Sequence, residues 1–128
     1  ATVAARALRN RKLAWAVIAG PVDAAIEAMR IEYRKTLAAE FRKRIDAAMA
    51  AAHVPRQDSA LAAPALVGAL LEGLIGPLAP QSSADDNDTR ATVQTLTLLS
   101  LRALGVVDAR ARGLVVQTVL PAAEEATA

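Results

Sequence analysis

An all-helical fold is predicted by three features of this sequence. Alanine is the commonest residue, whereas aromatic residues make up only 2% of the chain, which is a composition typical of helical proteins. Apolar side chains recur at steps of three and four residues over long segments. Glycine and proline are concentrated between those segments, where they end helices. The 128 residues therefore predict one all-helical bundle domain spanning residues 1–128.

Two helices are predicted in the first half of the chain. The first runs from Ala1 to Ala19 and ends at Gly20, because Pro21 disfavours helix in the residue before it. The second runs from about Val22 to Ala52. Its apolar stripe predicts one buried face, formed by Ile26, Met29, Tyr33, Leu37, Phe41, Ile45 and Met49.

The third helix is predicted to begin at a cap formed by Asp58 or Ser59 and to end at about Leu78. Pro64 lies within this segment and lacks an amide hydrogen. It predicts either a kink or a helix start only a few residues before it. The polar stretch QSSADDNDT, residues 81–89, is predicted to be a loop in which Asp85, Asp86 and Asp88 are clustered where a helix N-terminus favours negative charge.

The fourth helix is predicted to end at about Leu104, before Gly105. Asp108 is then expected to cap a last helix over residues 108–120. This last segment contains LVVQTVL, whose β-branched residues also favour a strand, but no other strand is predicted for it to pair with.

A homodimer is predicted because the third and fourth helices are apolar on nearly every side and need cover on two sides. The prolines, the glycines and Glu72 argue against a membrane span in the third helix. Two copies would form an intermolecular four-helix bundle about a two-fold axis. The alternative is a monomer whose last segment covers this face. The predicted interface contains Ala65, Ala69, Glu72, Gly73, Gly76, Val93, Leu96, Leu99, Ser100 and Ala103.

Catalytic and metal chemistry is poorly supported by the residue types present. The chain has no cysteine, and its single histidine, His53, cannot form a zinc site alone. His53 follows the second helix, where its interaction with the helix dipole is the structural alternative to a catalytic role. No serine lies in a nucleophile elbow. We therefore predict no catalytic residue, no metal site and no cofactor.

Partners and location follow from charge and from the first residues. A net charge of +2 is far below that of a dedicated nucleic-acid binder. Charged residues interrupt the first segment, so it does not have the apolar core of a signal peptide. Without that signal and without cysteine, a cytoplasmic protein with no membrane contact is expected.

Bulky side chains beside many alanines point to a cavity between the first two helices. Trp15, Met29, Tyr33 and Phe41 either line such a cavity or form ordinary core.

Charged residues near these helices have two interpretations each. Arg30 and Arg34 either bind an anionic ligand or lie on a solvated face. Glu72 either sits at a rim or pairs with an arginine such as Arg102, or it contacts a ligand.

The segments LRNRKLAWAVIAGPVDAAIEAMRIEYR and HVPRQDSALAAPALVGALLEGLIGPLAP resemble the C-terminal regulatory domain of TetR/AcrR-family transcriptional regulators. The resemblance covers most of Leu8 to Leu104. It is carried by the arginine-rich entry, the Pro-Val-Asp turn, the Arg30 and Arg34 pair, and the Asp-x-x-Leu-Ala-Ala start of the third helix.

This resemblance implies a bacterial domain that binds a small, often apolar effector in a cavity and dimerises through its last two main helices. The implied cavity residues are Trp15, Ile18, Met29, Tyr33 and Leu71. The implied dimer surface spans Leu61 to Leu78 and Val93 to Leu104. Operator DNA would be read only by a helix-turn-helix domain, which is expected in a longer parent, most simply a repressor.

Two other functions remain open from the sequence. A stand-alone helical module would bind a partner helix along the groove at Ala65, Ala69 and Gly73, with no small ligand. An enzyme is disfavoured because no acid, base or nucleophile constellation is visible.

Overall fold

The computed structural model describes residues 10–18, 20–80 and 86–117, and these contain five helices and no strand. The helices are α1 (Arg11–Ile18), α2 (Ala24–Ala50), α3 (Ser59–Ile75), α4 (Asp86–Ala103) and α5 (Asp108–Val116). The predicted all-helical class is confirmed. The predicted start of the first helix at Ala1, the loop residue Asp85 and the end of the last segment lie outside the described residues.

Helix α2 begins and ends with local backbone motifs that the sequence specifies. Asp23 caps its start, because its Oδ1 accepts from the Ile26 amide at 2.9 Å. At its end, His53 N donates to Ala48 O at 2.8 Å and Ala52 N donates to Met49 O at 3.0 Å. This is a Schellman motif, and it places Ala52 at φ 54°, in the left-handed region.

Helix α3 begins as predicted and ends earlier than predicted. Asp58 is the cap, since its Oδ1 accepts from the amides of Ala60 and Leu61 at 2.9 and 3.3 Å. The helix starts at Ser59, five residues before Pro64. This agrees with the predicted alternative of a helix start a few residues before the proline. The helix ends at Ile75 rather than at Leu78, because Pro77 keeps Gly76 extended.

Two predicted boundaries around α4 and α5 were wrong. Helix α4 already begins at Asp86, so residues 86–89 are helical rather than loop, and Thr89 is buried. Asp108 is the first residue of α5 and not its cap; Val107 stands at the cap position without a side-chain bond. The expectation of helix rather than strand for the start of the last segment is confirmed by α5.

The helices pack as a hairpin of α2 and α3, with α4 running back along α3, α5 against α4, and α1 against α3. The core consists of two clusters at opposite ends of α3. The first cluster joins Leu74 and Ile75 to Val93 of α4, with Ala14 of α1 beside it. The second cluster lies near the α2–α3 turn and contains Ile45, Ala63 and Leu66, with Phe41, Met49 and Leu104 against it.

The predicted apolar stripe of α2 is covered only in its second half. Ile45 is buried, but Ile26 and Tyr33 are exposed and Met29 is 72% exposed. Helix α2 has 27 residues and α3 has 17, so α2 extends about 15 Å further at 1.5 Å per residue. The first turns of α2 therefore extend beyond the end of α3 and do not pack against it.

Candidate functional site

A cavity of about 320 Å³, here called the inner cavity, lies between α2, α3 and α4. Contacts between α3 and α4 near the two core clusters bound this cavity at its two ends. At one end, Leu96 lies so close to Gly73 that a Cβ added there would be 2.9 Å from Leu96 Cδ2. At the other end, Gln57 Nε2 donates to Leu104 O at 3.0 Å. The lining contains Leu37, Phe41, Leu66, Val67, Leu70, Leu71, Leu74, Val93, Leu96, Thr97, Ser100, Leu101 and Leu104.

The chemistry of the inner cavity is almost purely apolar. No charged side chain lines it, and its two hydroxyl groups belong to Thr97 and Ser100. Thr97 Oγ1 donates to Val93 O at 2.7 Å, and Ser100 Oγ donates to Leu96 O at 2.8 Å. Both hydroxyl hydrogens are therefore used within α4 and do not face a ligand.

A second cavity of about 560 Å³, here called the outer groove, lies along the seam of α2 and α3. Val67 and Leu71 line both cavities, so they form the wall between them. A Cβ added at Gly68 would meet nothing within 4 Å, because Gly68 borders this open space. The remaining lining residues are Ile31, Arg34, Lys35, Ala38, Pro64, Glu72, Ile75, Gly76 and Pro77.

The outer groove differs from the inner cavity in being charged. Lys35 Nζ lies 2.7 Å from Glu32 Oε1, and both side chains are exposed. Glu72 lies on the α3 side, where its Oε1 accepts from the Leu78 amide at 3.0 Å. Charged side chains thus border this groove on both helices. A ligand in the groove would contact charged groups that are also exposed to solvent.

Of the residues expected to line a ligand cavity, the structure places Leu71 in the wall of both cavities and Phe41 in the inner one. Trp15, Met29 and Tyr33 are exposed and belong to neither lining. Ile18 ends α1, and its side chain lies outside the described residues. Ligand binding by these residues stays a prediction.

Most of the α4 wall of the inner cavity was not predicted from the sequence, although a signal for it was present. Leu101 and Thr97 line the inner cavity together with Leu70 of α3. A helix that is apolar all round needs cover all round, and we assigned the second covered side of α4 to a partner copy. Part of that side faces the inner cavity.

Arg30 has neither of its two predicted roles. It is 8% exposed, and its guanidinium donates to the carbonyl oxygens of Gly20 and Ala16, both at 2.7 Å. Ala16 lies in the last turn of α1, where helix carbonyls lack partners within the helix, and Gly20 follows two residues after its end. Glu27 Oε2 also lies 3.3 Å from Nη1. Arg30 is thus a structural residue that ties α1 to α2, whereas Arg34 lines the outer groove.

The predicted pair of Glu72 and Arg102 is not formed. Glu72 instead accepts a hydrogen bond from the Leu78 amide, just beyond the end of α3. Its side chain lies at the edge of the outer groove. Arg102 instead binds Asp108 across the α4–α5 turn, with Nε 2.7 Å from Oδ1. Arg112 Nε donates to the other oxygen at 2.8 Å. The side-chain hydrogen bonds from Arg112 and Arg102 lower the pKa of Asp108 below its ordinary value of 3.8.

The residues predicted to form a dimer interface fall on two different faces. Val93 is 2% exposed and packs with Leu74 and Ile75 inside one chain. Gly73 packs against Leu96 within the chain, Gly76 is covered by the Glu72 carboxylate, and Ser100 lines the inner cavity. The exposed members are Ala65, Ala69, Glu72, Leu99 and Ala103. The homodimer itself stays a prediction.

Comparisons with known proteins identify no relative. No protein-family model matches the chain, and neither a curated protein nor a solved structure matches it significantly. Among residues 10–18, 20–80 and 86–117, no group of three or more histidine, cysteine, aspartate and glutamate side chains is placed to hold a metal ion. Within the same ranges, no helix has both the length and the hydropathy needed to cross a bilayer.

Proposed function

We propose that this chain is the effector-binding and dimerisation domain of a TetR-like transcriptional regulator. In this proposal a small hydrophobic or aromatic ligand occupies the inner cavity and releases the parent protein, a repressor, from its operator. The observation that carries the proposal is the inner cavity itself, an apolar space bounded by three helices and not filled by core side chains.

The position of the inner cavity also supports a regulatory role. Its walls are formed by α3 and α4, which are the helices proposed to pair with a second copy. A ligand that fits one spacing of α3 and α4 better than another shifts the population between the two spacings. In a dimer this shift would change the separation of two DNA-reading domains.

Exposed apolar surface on the outer faces of α3 and α4 supports dimerisation. Leu61 is 69% exposed and Leu99 is 56% exposed, and the small residues Ala65 and Ala69 of α3 are also exposed. A two-fold pairing would cover these faces with their own counterparts. DNA contact in this proposal belongs to a helix-turn-helix domain on the amino-terminal side of the chain.

The proposal is tested by measuring mass and ligand response on the same preparation. We expect light scattering at micromolar concentrations to give the mass of two chains. We expect thermal unfolding to shift upwards with some members of a panel of small hydrophobic and aromatic compounds, because a ligand that binds only the folded state stabilises it. A one-chain mass together with no shift for any compound would contradict the proposal.

A helical interaction module is the second candidate, favoured by the exposure of Leu61 next to the small residues of α3. Such a module would bind one amphipathic helix along Ala65 and Ala69 and would have no small ligand. The second candidate predicts the mass of one chain in light scattering and no shift in thermal unfolding with any compound of the panel. The first proposal excludes this combination.

A further inference from the structure

We infer that the inner cavity selects an uncharged hydrocarbon, of about the size of two fused aromatic rings, and rejects the corresponding carboxylate. The inference rests on the proposed function and specifies the class of ligand for the same site. It depends on the hydrogen-bond donors and the volume that the cavity offers.

The lining provides no free hydrogen-bond donor. The only side-chain donors in it, Thr97 and Ser100, give their hydrogens to the carbonyls of Val93 and Leu96. The remaining lining side chains are Leu, Val and Phe. Backbone amides within these helices donate along their own helix. A carboxylate entering this space would give up hydration and gain no hydrogen-bond partner, which is unfavourable in apolar surroundings.

The volume sets the size of the ligand. An apolar cavity of about 150 Å³ holds one benzene molecule. The inner cavity has about 320 Å³, which is roughly twice that volume. Naphthalene, which is larger than benzene but smaller than two separate benzene rings, fits within this volume and is the probe, and its 2-carboxylate has the same ring system with one added charge.

The two cavities also make the site of binding distinguishable. The outer groove contains Lys35 and Arg34 on one wall and Glu72 on the other, so a charged ligand has ion partners there and none in the inner cavity. Thr97→Phe places a ring in the inner cavity. Gly68→Phe places the same ring in the outer groove, where the structure leaves open space.

Isothermal titration with naphthalene and with 2-naphthoate, on the wild type and both variants, tests the inference. We expect the wild type to bind naphthalene at least about tenfold more tightly than 2-naphthoate. We expect Thr97→Phe to lose naphthalene binding by at least about tenfold and Gly68→Phe to retain it. Circular dichroism checks folding, and the smaller change Thr97→Leu is expected to give an intermediate loss.

Each contrary result has a defined meaning. Equal or tighter binding of 2-naphthoate overturns the selection against charge. Naphthalene binding that survives Thr97→Phe and fails in Gly68→Phe places the ligand in the outer groove and also overturns the inference. If polar members of the compound panel bind while naphthalene does not, the inference fails and the effector-binding proposal survives. If no compound of either kind binds, the inference fails, and a one-chain mass in addition would also contradict the proposed function.

Discussion

The guanidinium of Arg30 closes the carboxyl end of α1, with Nη1 2.7 Å from the carbonyl oxygen of Gly20, ten residues earlier in the chain. Its Nη2 donates to Ala16 O at the same distance. These bonds fix the short helix α1 against the part of α2 that extends past α3. Replacing Arg30 by methionine would keep much of the aliphatic volume and leave the buried carbonyls without these donors.

We expect Arg30→Met to lower the free energy of unfolding by about 2 to 3 kcal/mol, because hydrogen bonds to a charged donor are among the stronger ones. Urea denaturation followed by Trp15 fluorescence measures this, since Trp15 lies in α1. Arg42→Met is the control: Arg42 lies 3.9 Å from Asp46 on the exposed side of α2. It should change stability by less than about 1 kcal/mol. Equal losses in the two variants would contradict the structural role of Arg30.

Ala52→Gly is expected to stabilise the protein by about 0.5 to 1 kcal/mol. Ala52 has φ 54° in the Schellman motif that ends α2, a conformation costly for a residue with a Cβ. Thermal or urea unfolding checks the gain. Ala50→Gly, two residues earlier and still within α2, should instead lower stability by up to about 1 kcal/mol. The two glycines should therefore act in opposite directions, and a loss at both positions would refute the cap geometry.

Gly105→Ala is expected to destabilise the protein by at least about 1 kcal/mol. Gly105 has φ +82° after α4, and an added Cβ would lie 2.6 Å from Pro55 Cγ. This contact joins the turn after α4 to the turn before α3. Unfolding by urea measures the loss, and Gly113→Ala is the control because a Cβ there meets nothing within 4 Å. If Gly113→Ala cost as much as Gly105→Ala, the close approach to Pro55 would not be the cause.

Asp108 is expected to make stability depend on pH below about 4. Hydrogen bonds from Arg112 and Arg102 lower its pKa in the folded state below the ordinary value of 3.8. Its contribution is therefore present in full above that value, and it is lost as the pH falls through the lower folded pKa. The stability difference between wild type and Asp108→Asn should be largest at neutral pH and should shrink in acid.

An NMR titration of the Asp108 carboxyl group measures the same effect directly. Its midpoint should lie below 3.8 in the wild type. It should move upwards in Arg112→Gln, because the hydrogen bond from Arg112, the largest cause of the lowered pKa, is removed. The shift should weaken in high salt, since the group is exposed. A midpoint unchanged by Arg112→Gln would show that the ion pair does not persist in solution.

Leu99→Glu is expected to shift the protein from two chains to one in light scattering. Leu99 is 56% exposed on α4, so the substitution should not disturb the core of one chain. Burying a carboxylate against its two-fold counterpart would be unfavourable. Met29→Glu makes the same change at another exposed apolar residue, outside the predicted interface. It should leave the mass unchanged, and loss of association in both variants would remove Leu99 from the interface.

Gly73 shows why an interface residue could not be chosen from the sequence alone. Its position in a stripe of small residues predicted a close contact with another helix, and that contact exists. The helix is α4 of the same chain, however, and the contacting residue is Leu96. A stripe of small residues specifies a close approach but not which helix approaches. For the same reason, Gly73→Leu would disturb folding as well as any dimer.

The sequence by itself determined the helical class and some of the helix ends, because these depend on neighbours within a few residues. The Asp23 and Asp58 caps follow from local bonds between a side-chain oxygen and backbone amides, and the Gly105 turn from local backbone hydrogen bonds. Only the tertiary structure decided which side chains meet. Arg30 donates to the carbonyl oxygen of Gly20, ten residues away, and the inner cavity is lined by residues as far apart in the chain as Leu37 and Leu104. Such contacts join residues far apart in the chain. Apolar periodicity predicts which face of a helix is buried, but it does not predict which other helix covers that face.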